Sequence, residues 1–265
     1  MPLSSPKNPL VQSIRRAVRE GNSTDSGLVV AEGPRLLQEA LRPNTKWAVK
    51  RILTTAEGGE RHAGLLERAS AEIIRVSARV FRSLSGTETT QEIITLLEAP
   101  RWSWQDMVNS PGVVVVLDGV QDPGNAGTLI RSAEAFGATG VIFLEGCVGI
   151  ANGKFLRATA GSIFRIPFLE GISRVELASK VARERFPFYA LTADGGLPLT
   201  EADFSRQCLL AVGSEGQGIS REILANAQTV SIPTARVESL NAGVAGSIAL
   251  FEAARQRSAR RKEKP

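Results

Sequence analysis

Residues 113–146 read VVVVLDGVQDPGNAGTLIRSAEAFGATGVIFLEG, and this stretch decides the fold. It opens on a run of apolar, mostly β-branched residues, which is typical of a strand buried on both faces of a parallel sheet. A loop rich in Gly, Pro and Asn follows, and a helical pattern beginning near Ala126 leads to a second strand, GVIFLEG. The stretch therefore predicts a strand–helix–strand unit of an α/β protein.

The same alternation of strand and helix continues to a long final helix that begins near Leu240. Residues 28–98 form a separate series of short apolar runs and helical patterns, from LVVAEG to QEIITLLE. The segment between them, PRWSWQDMVNSPG, has a proline near each end and no sustained period, which marks a boundary. The sequence thus predicts a first domain of residues 1–108 and a second domain of residues 109–265.

Composition excludes several classes of protein. The 265 residues include one His, His62, and two Cys, Cys147 and Cys208, far apart in sequence. A Cys/His zinc site, a disulfide framework and a His-centred triad are therefore unsupported, and no metal is expected. We expect His62 on a solvated helix face and both cysteines as buried apolar side chains. The first residues lack an apolar signal core, and no stretch approaches the roughly 20 apolar residues of a membrane span, so a cytoplasmic protein is predicted.

The formal net charge of +5 favours an anionic partner. Basic residues gather near the N-terminus, across the first domain and at the C-terminus: Lys7, Arg15, Arg16, Arg19, Arg42, Lys46, Lys50, Arg51, Arg75, Arg79, Arg82, Arg255, Arg257, Arg260, Arg261, Lys262 and Lys264. Such runs occur on solvated helix faces as well as in nucleic-acid contacts, and both interpretations stay open.

The loop between the strand and helix of residues 117–146 is the first candidate site. In open α/β sheets ligands bind at the carboxyl ends of the strands, next to helix N-termini. On the helix, Arg131 and Glu134 are three residues apart and share a face. The alternative is structural: Asn125 caps the helix, and Arg131 pairs with Glu134.

A second candidate, LLAVGSEGQGIS at residues 209–220, is a strand that runs into three glycines. Glycines let the backbone approach a ligand closely, but the order differs from the dinucleotide fingerprint, and Glu215 would repel a pyrophosphate. A ligand without phosphate, or with positive charge, suits this loop better. The alternative is a plain tight turn.

A third candidate, VSIPTARVESLNAGVAGSIALFEAARQR at residues 230–257, is a strand, an irregular loop and a helix. Ser239 is placed as the helix N-cap, and Asn241 can turn its amide back to the same loop. The helix is rich in small residues, which allow another backbone to approach closely. That surface is either an intramolecular packing surface or a dimer face.

Taken in this order, NAGTLIRSAEAFGA, GSEGQGIS and IPTARVESLNAGVAGSIALFEA resemble the three motifs of the SpoU/TrmH family of RNA 2′-O-ribose methyltransferases, within the SPOUT superfamily. The resemblance covers the second domain. The stretches VVAEGPRLLQEALR and VFRSLSGTETTQEIITLLE are similar to the RNA substrate-binding domain, itself like a ribosomal protein, that many members carry. The resemblance implies a parallel-sheet SPOUT domain with a deep trefoil knot, preceded by a smaller α/β domain.

The resemblance also implies roles for individual residues. The catalytic set would be Asn125, Arg131, Glu134, Ser239 and Asn241. The residues that bind S-adenosylmethionine would be Leu191, Gly213, Glu215, Gly218, Ile232 and Leu240. In the family, the arginine that matches Arg131 is assigned as the general base. Because a guanidinium resists deprotonation, we expect Arg131 mainly to stabilise the alkoxide. Loop 233–238 departs from the family pattern, with Thr234 and Ala235 where many members have Met and a nearby Gly.

The implied partner is RNA, with ribosomal RNA preferred over tRNA, and the implied assembly is a homodimer through the C-terminal domain. Three alternatives remain: a tRNA 2′-O-methyltransferase, a non-catalytic RNA-binding or ribosome-assembly protein, and an enzyme of dinucleotide-binding type. Cofactor binding separates them, because the first requires S-adenosylmethionine, the last requires NAD, and the RNA-binding protein requires neither.

Overall fold

The computed structural model describes residues 2–87 and 91–262, with only the backbone for residues 261 and 262. Lys264 and part of the stretch VFRSLSGTETTQEIITLLE therefore lie outside the described residues. The chain divides into two compact units, one of residues 1–101 with 149–165 and the other of residues 102–148 with 166–265. Residues 149–165 thus group with the first unit, although the sequence assigns them to the second domain.

The helices and strands follow in chain order: α1 (Pro9–Glu20), β1 (Val29–Glu32), α2 (Pro34–Ala40), β2 (Ala48–Thr54), α3 (Ala56–Arg61), α4 (Ala63–Leu66), β3 (Glu72–Arg75), α5 (Ala78–Leu84), β4 (Ile93–Glu98), α6 (Trp104–Val108), β5 (Val113–Asp118), α7 (Pro123–Ala135), β6 (Gly140–Leu144), α8 (Gly153–Ala158), β7 (Phe168–Ile172), α9 (Arg174–Glu184), β8 (Phe188–Thr192), β9 (Leu197–Pro198), β10 (Cys208–Gly213), α10 (Arg221–Leu224), β11 (Gln228–Ser231) and α11 (Ala242–Lys262).

The first unit is built on a sheet of order β1-β4-β2-β3 within its described residues. Strand β4 pairs antiparallel with β1 and β2, and β2 pairs parallel with β3. Helix α1 begins where the Asn8 side chain accepts the Leu10 N–H, and it buries Val11 and Ile14 against the sheet and α5. His62 separates α3 from α4 and is half-buried, so the expectation of a solvated helix face is wrong.

Residues 149–165 join the first unit through side chains that the sequence pattern does not pair. The Trp47 ring packs edge-on against Phe164, and its Nε1 donates to the Ile163 carbonyl over 3.3 Å. Arg165 forms an ion pair with the buried carboxylate of Glu39. These contacts link positions more than one hundred residues apart, which explains why a linear boundary does not describe this unit.

The second unit is a parallel sheet of order β7-β6-β5-β10-β8-β11-β9 within the described chain. Every residue of β5 and β10 is buried, as the apolar runs predict. Alternate residues such as Val114, Val116, Leu209 and Ala211 share one core with Trp104. The predicted α/β class, with a parallel sheet preceded by a smaller α/β unit, is confirmed.

Helix α7 begins at Pro123, earlier than the predicted start near Ala126. Its N-cap is Asp122, whose carboxylate accepts the Asn125 N–H over 2.7 Å, so the alternative of an Asn125 cap is wrong. Helix α11 begins at Ala242, and the Asn241 Oδ1 accepts the Val244 N–H over 3.1 Å. Asn241 therefore caps this helix, and the prediction of Ser239 as N-cap is wrong because Ser239 lies too far before the first turn.

The small residues of α11 pack within the unit, against α7. A Cβ added at Gly246 would overlap the Leu129 side chain, and the Ser132 and Ser247 hydroxyls are 2.7 Å apart. Glycine allows the two helix backbones to approach this closely. In the structure, the small residues of α11 therefore form an intramolecular packing surface.

The two cysteines are free, Cys208 buried and Cys147 half-buried. Burial raises the pKa of the Cys208 thiol to about 12 and also raises that of Cys147. Cys208 is a buried side chain, as expected, whereas Cys147 is partly accessible to solvent. Within residues 2–87 and 91–262, no helix combines the length and apolar character needed to cross a membrane.

Candidate functional site

A cavity of about 480 Å³ opens at the carboxyl edge of the parallel sheet. Strands β8 and β10 end at it, and the segment from β11 to α11 closes it. The lining includes all six residues that the resemblance assigns to the cofactor, namely Leu191, Gly213, Glu215, Gly218, Ile232 and Leu240. Of the five residues assigned to catalysis, Ser239 and Asn241 also line it.

The cavity lining is mostly apolar. Leu191, Val212, Ile219 and Ile232 supply aliphatic surface, and among the described lining residues Glu215 is the one charged side chain. No lysine or arginine lines this part of the structure to neutralise a phosphate. A volume of this size is within the range of small-molecule sites, and the chemistry fits a flat apolar group joined to a positive charge rather than a pyrophosphate.

The loop after β10 folds back onto its own strand. Ser214 and Gly218 exchange backbone hydrogen bonds of 3.2 and 2.9 Å. A Cβ added at Gly213 would overlap the Gly218 carbonyl, so this close approach requires glycine at position 213. The loop is a tight turn, which was the alternative interpretation of residues 209–220. The same turn also forms one wall of the cavity.

Asp118, at the end of β5, supports this loop and was missed by the sequence analysis. Its side chain is buried, with 2% of the residue exposed. One carboxylate oxygen accepts from the Arg174 guanidinium over 2.9 and 2.7 Å, and the other accepts the Ser220 N–H over 2.7 Å. An acidic residue that ends an otherwise apolar strand was the available signal, because a buried carboxylate needs partners.

Three polar side chains, one from each motif, meet beside the cavity. The Asn125 Nδ2 donates to Glu215 Oε1 over 3.0 Å, and the Asn241 Nδ2 donates to Asn125 Oδ1 over 2.9 Å. Asn241 also donates to Glu215 Oε1. Hydrogen bonds to a carboxylate are stronger than neutral ones, so Glu215 holds both amides in place.

Arg131 lies on the exposed face of α7, six residues after Asn125. Its guanidinium makes no hydrogen bond or ion pair within the described chain, which leaves its donors available to a ligand. Glu134 is half-buried one turn further on. Neither residue lines the cavity itself, so the structure separates them from the residues assigned to the cofactor.

Loop 233–238, which departs from the family pattern, is ordered by its own hydrogen bond. The Thr234 hydroxyl donates to the Val237 carbonyl over 2.6 Å, and Thr234 lines the cavity. The substituted loop thus still forms part of the wall.

Fold and site together define a class: an α/β protein with a cofactor-sized cavity where its parallel strands end. Residues 112–251 match the model of the SpoU rRNA Methylase family, and residues 8–95 match the MRM3-like substrate binding domain. The chain belongs to the SpoU rRNA methylase family, as the sequence motifs predict, and is an RNA methyltransferase.

Full-length relatives agree with this assignment. The chain is 31% identical to an uncharacterised tRNA/rRNA methyltransferase of Synechocystis, over 96% of this chain and 93% of the relative. It is 30% identical to the 23S rRNA (guanosine(2553)-2′-O)-methyltransferase RlmP of Bacillus subtilis, over 94% and 97%. The SpoU methyltransferase AviRb of Streptomyces viridochromogenes, solved in complex with AdoMet, superposes with a TM-score of 0.84 at 26% identity, covering 95% and 99% of the two chains.

Proposed function

We propose that this protein transfers a methyl group from S-adenosylmethionine to the 2′-hydroxyl of a ribose in ribosomal RNA. The observation that carries the proposal is the meeting of Asn125, Glu215 and Asn241, one residue from each motif, beside an apolar cavity. Support for the rRNA substrate comes from RlmP and from the match to the SpoU rRNA Methylase family over residues 112–251. Because other relatives are named tRNA/rRNA methyltransferase, tRNA is the alternative substrate.

The cavity residues fit S-adenosylmethionine. Leu191, Ile232 and Leu240 offer an apolar surface to a purine ring, and the Glu215 carboxylate favours a positively charged ligand. When bound, the cofactor supplies a methyl group on a positively charged sulfur. The dinucleotide alternative is disfavoured, because the described lining offers no cation to a pyrophosphate.

The catalytic contribution of this chain lies in positioning and in charge. Glu215 fixes the amides of Asn125 and Asn241, and preorganised groups of this kind reduce the cost of aligning reactants. Arg131, with an exposed guanidinium, stabilises the negative charge that develops on the ribose 2′-oxygen as its proton passes to solvent water, and it holds the adjacent phosphate. Glu134, on the same helix, and Ser239, in the cavity lining, complete the proposed catalytic set.

The homodimer is part of the same proposal. Val244, Ile248 and Phe251 are exposed apolar residues at spacings of four and three along α11, so they share one helix face. The Phe251 ring packs edge-on against Phe136, which extends this face to the end of α7. Contiguous exposed apolar surface marks an interaction site, and a second copy of this chain would cover it.

Two further features belong to this proposal: the trefoil knot of the second domain, which rests on the resemblance, and the cytoplasmic location, which is expected from the composition of the sequence. The division into domains of residues 1–108 and 109–265 is likewise proposed as the functional one, with substrate binding in the first domain and methyl transfer in the second.

The test is transfer of radiolabelled methyl groups from S-adenosylmethionine to unmodified 23S rRNA, assembled large subunits and tRNA. We expect label in rRNA or subunits, recovered after alkaline hydrolysis as a dinucleotide because 2′-O-methylation blocks cleavage. Label confined to tRNA would favour the tRNA alternative. Cofactor binding without transfer to any of the three RNAs would contradict the assigned substrates, and absence of cofactor binding would favour the non-catalytic RNA-binding protein.

A further inference from the structure

A groove of about 610 Å³ lies on the first unit, away from any residue assigned above. One wall is the face of α2 that carries Arg35 and Gln38, continued by Arg42 one turn later. The other wall is formed by His62, at the start of α4, and by Arg68, which follows this helix. Three arginines thus face one groove.

Two of these arginines have no partner among the described residues. Arg35 and Arg68 are exposed, and neither makes an ion pair or hydrogen bond within the described residues. Both exposed guanidiniums line one groove, so they are available to an anionic ligand.

The third arginine is positioned by a buried carboxylate. Glu39, 8% exposed, accepts from the Arg42 Nη2 over 2.9 Å and also pairs with Arg165. It is the one carboxylate among the described lining residues, and two guanidiniums share it. Its charge is therefore neutralised, and the groove keeps a net positive charge.

We propose that this groove binds the phosphate backbone of the RNA substrate, an inference that rests on the proposed function. Arg35 and Arg68 contact phosphates, and Glu39 holds Arg42 beside them. Guanidinium forks match phosphate oxygens and bind them without reading sequence. Gln38 and His62 add donors for phosphate or ribose oxygens along the same path.

The test measures RNA binding by the full chain. The probe is an unmodified 23S rRNA transcript, and the variants are Arg35→Gln, Arg68→Gln and the double variant. Arg157→Gln is the matched control, because Arg157 is exposed on α8 of the same unit, outside the groove, and its replacement changes the net charge equally. We expect each single groove variant to bind the RNA about 3- to 10-fold more weakly and to reduce the steepness of log affinity against log salt by about 0.7–0.9, and the double variant to show about twice that reduction in steepness.

The control variant should bind within about twofold of the wild type. Equal losses for Arg157→Gln and Arg35→Gln would show that total charge matters and would overturn the groove proposal. Wild-type binding by both groove variants would overturn it as well.

Failure of the groove proposal is distinct from failure of the proposed function. Methyl transfer by the wild type and its binding of S-adenosylmethionine test the function, and the groove variants should leave cofactor binding unchanged. At saturating rRNA they should also keep the wild-type turnover rate, since only the KM for RNA should increase. Folding is checked by circular dichroism and urea unfolding.

Discussion

Glu215 is an exposed carboxylate that joins two amides far apart in the chain, Asn125 and Asn241. Because an ionised carboxylate only accepts hydrogen bonds, it determines which end of each amide faces it. Asn125 then presents its oxygen to Asn241, and Asn241 keeps its own oxygen for the cap of α11. A single residue thus fixes two amide groups at the candidate catalytic centre.

Arg131→Ala should reduce methyl transfer at least about 100-fold, because removal of a group that stabilises developing charge has effects of this size. Binding of S-adenosylmethionine should change less than about twofold, since Arg131 does not line the cavity. Transfer is measured with radiolabelled cofactor and binding by calorimetry. Arg183→Ala, an exposed arginine on α9, is the control and should stay active. Loss of cofactor binding by folded Arg131→Ala would refute this division of roles.

Asp118→Asn should weaken the support of the loop after β10. The amide loses the ion pair with Arg174 and can no longer accept on both sides, so unfolding free energy should drop by about 1–3 kcal/mol. Cofactor affinity should fall with it, because Ser220 ends the loop that forms the cavity wall. Urea unfolding and calorimetry measure the two effects. Asp122→Asn is the matched control, since Asn caps helices as well as Asp; an equal loss in both variants would contradict the prediction.

Helices α7 and α11 lie side by side and start at the same edge of the sheet. Their contacts advance together along both helices: Asn125 with Asn241, Leu129 with Gly246, Ser132 with Ser247, and Phe136 with Phe251. The pair is therefore parallel, and this arrangement brings the first and third motifs together. The loop after β10 adds the second motif through Glu215.

Gly213→Ala should disrupt the turn that closes the cavity wall. The new methyl group would overlap backbone atoms of Gly218 and Ile219, which cannot move without opening the turn, at a cost of about 1–3 kcal/mol. We expect loss of cofactor binding in calorimetry. Gly216→Ala, three residues on, meets open space and should bind normally. Normal binding by Gly213→Ala would mean that the turn is not required.

Element types were predictable, whereas the helix starts were not. Continuous apolar runs identified β5 and β10, because strands buried on both faces carry no polar positions. The stretches DPGN and SLN each contain two residues able to cap a helix, and their local pattern does not distinguish the two. For α7 the signal was Pro123, since proline favours the first helical position and places the cap at Asp122.

At the scale of the whole molecule, the exposed face of α11 bears on assembly. Ile248→Glu places a charge within the apolar face formed with Val244 and Phe251, where an interface would have to bury it. We expect the wild type to sediment as a dimer and the variant as a monomer. Val175→Glu is the matched control, because Val175 is 72% exposed on α9, away from this face. A dimeric Ile248→Glu variant would place the interface elsewhere.

The sequence indicates which residues line the cavity, but it does not indicate how distant side chains pair around it. Each residue assigned to the cofactor lines the cavity, because each lies at or beyond the end of a predicted strand, where ligands bind in parallel sheets. Asp118 and the Glu39–Arg165 pair could not be found from spacing, since their partners are 56 to 126 residues away. The groove of the first unit was equally hidden, because Arg35 and Arg68 belong to separate helical segments.

The sequence by itself determined the class of fold, the order of its strands and helices, the family and the residues of the three motifs. These follow from local periodicity and from short motifs, which depend on neighbouring residues. The tertiary structure alone decided how Asn125, Glu215 and Asn241 share hydrogen bonds, that residues 149–165 group with the first unit, and which arginines face a common groove. Contacts of this kind depend on side chains that chain folding brings together over long separations, and no local pattern encodes them.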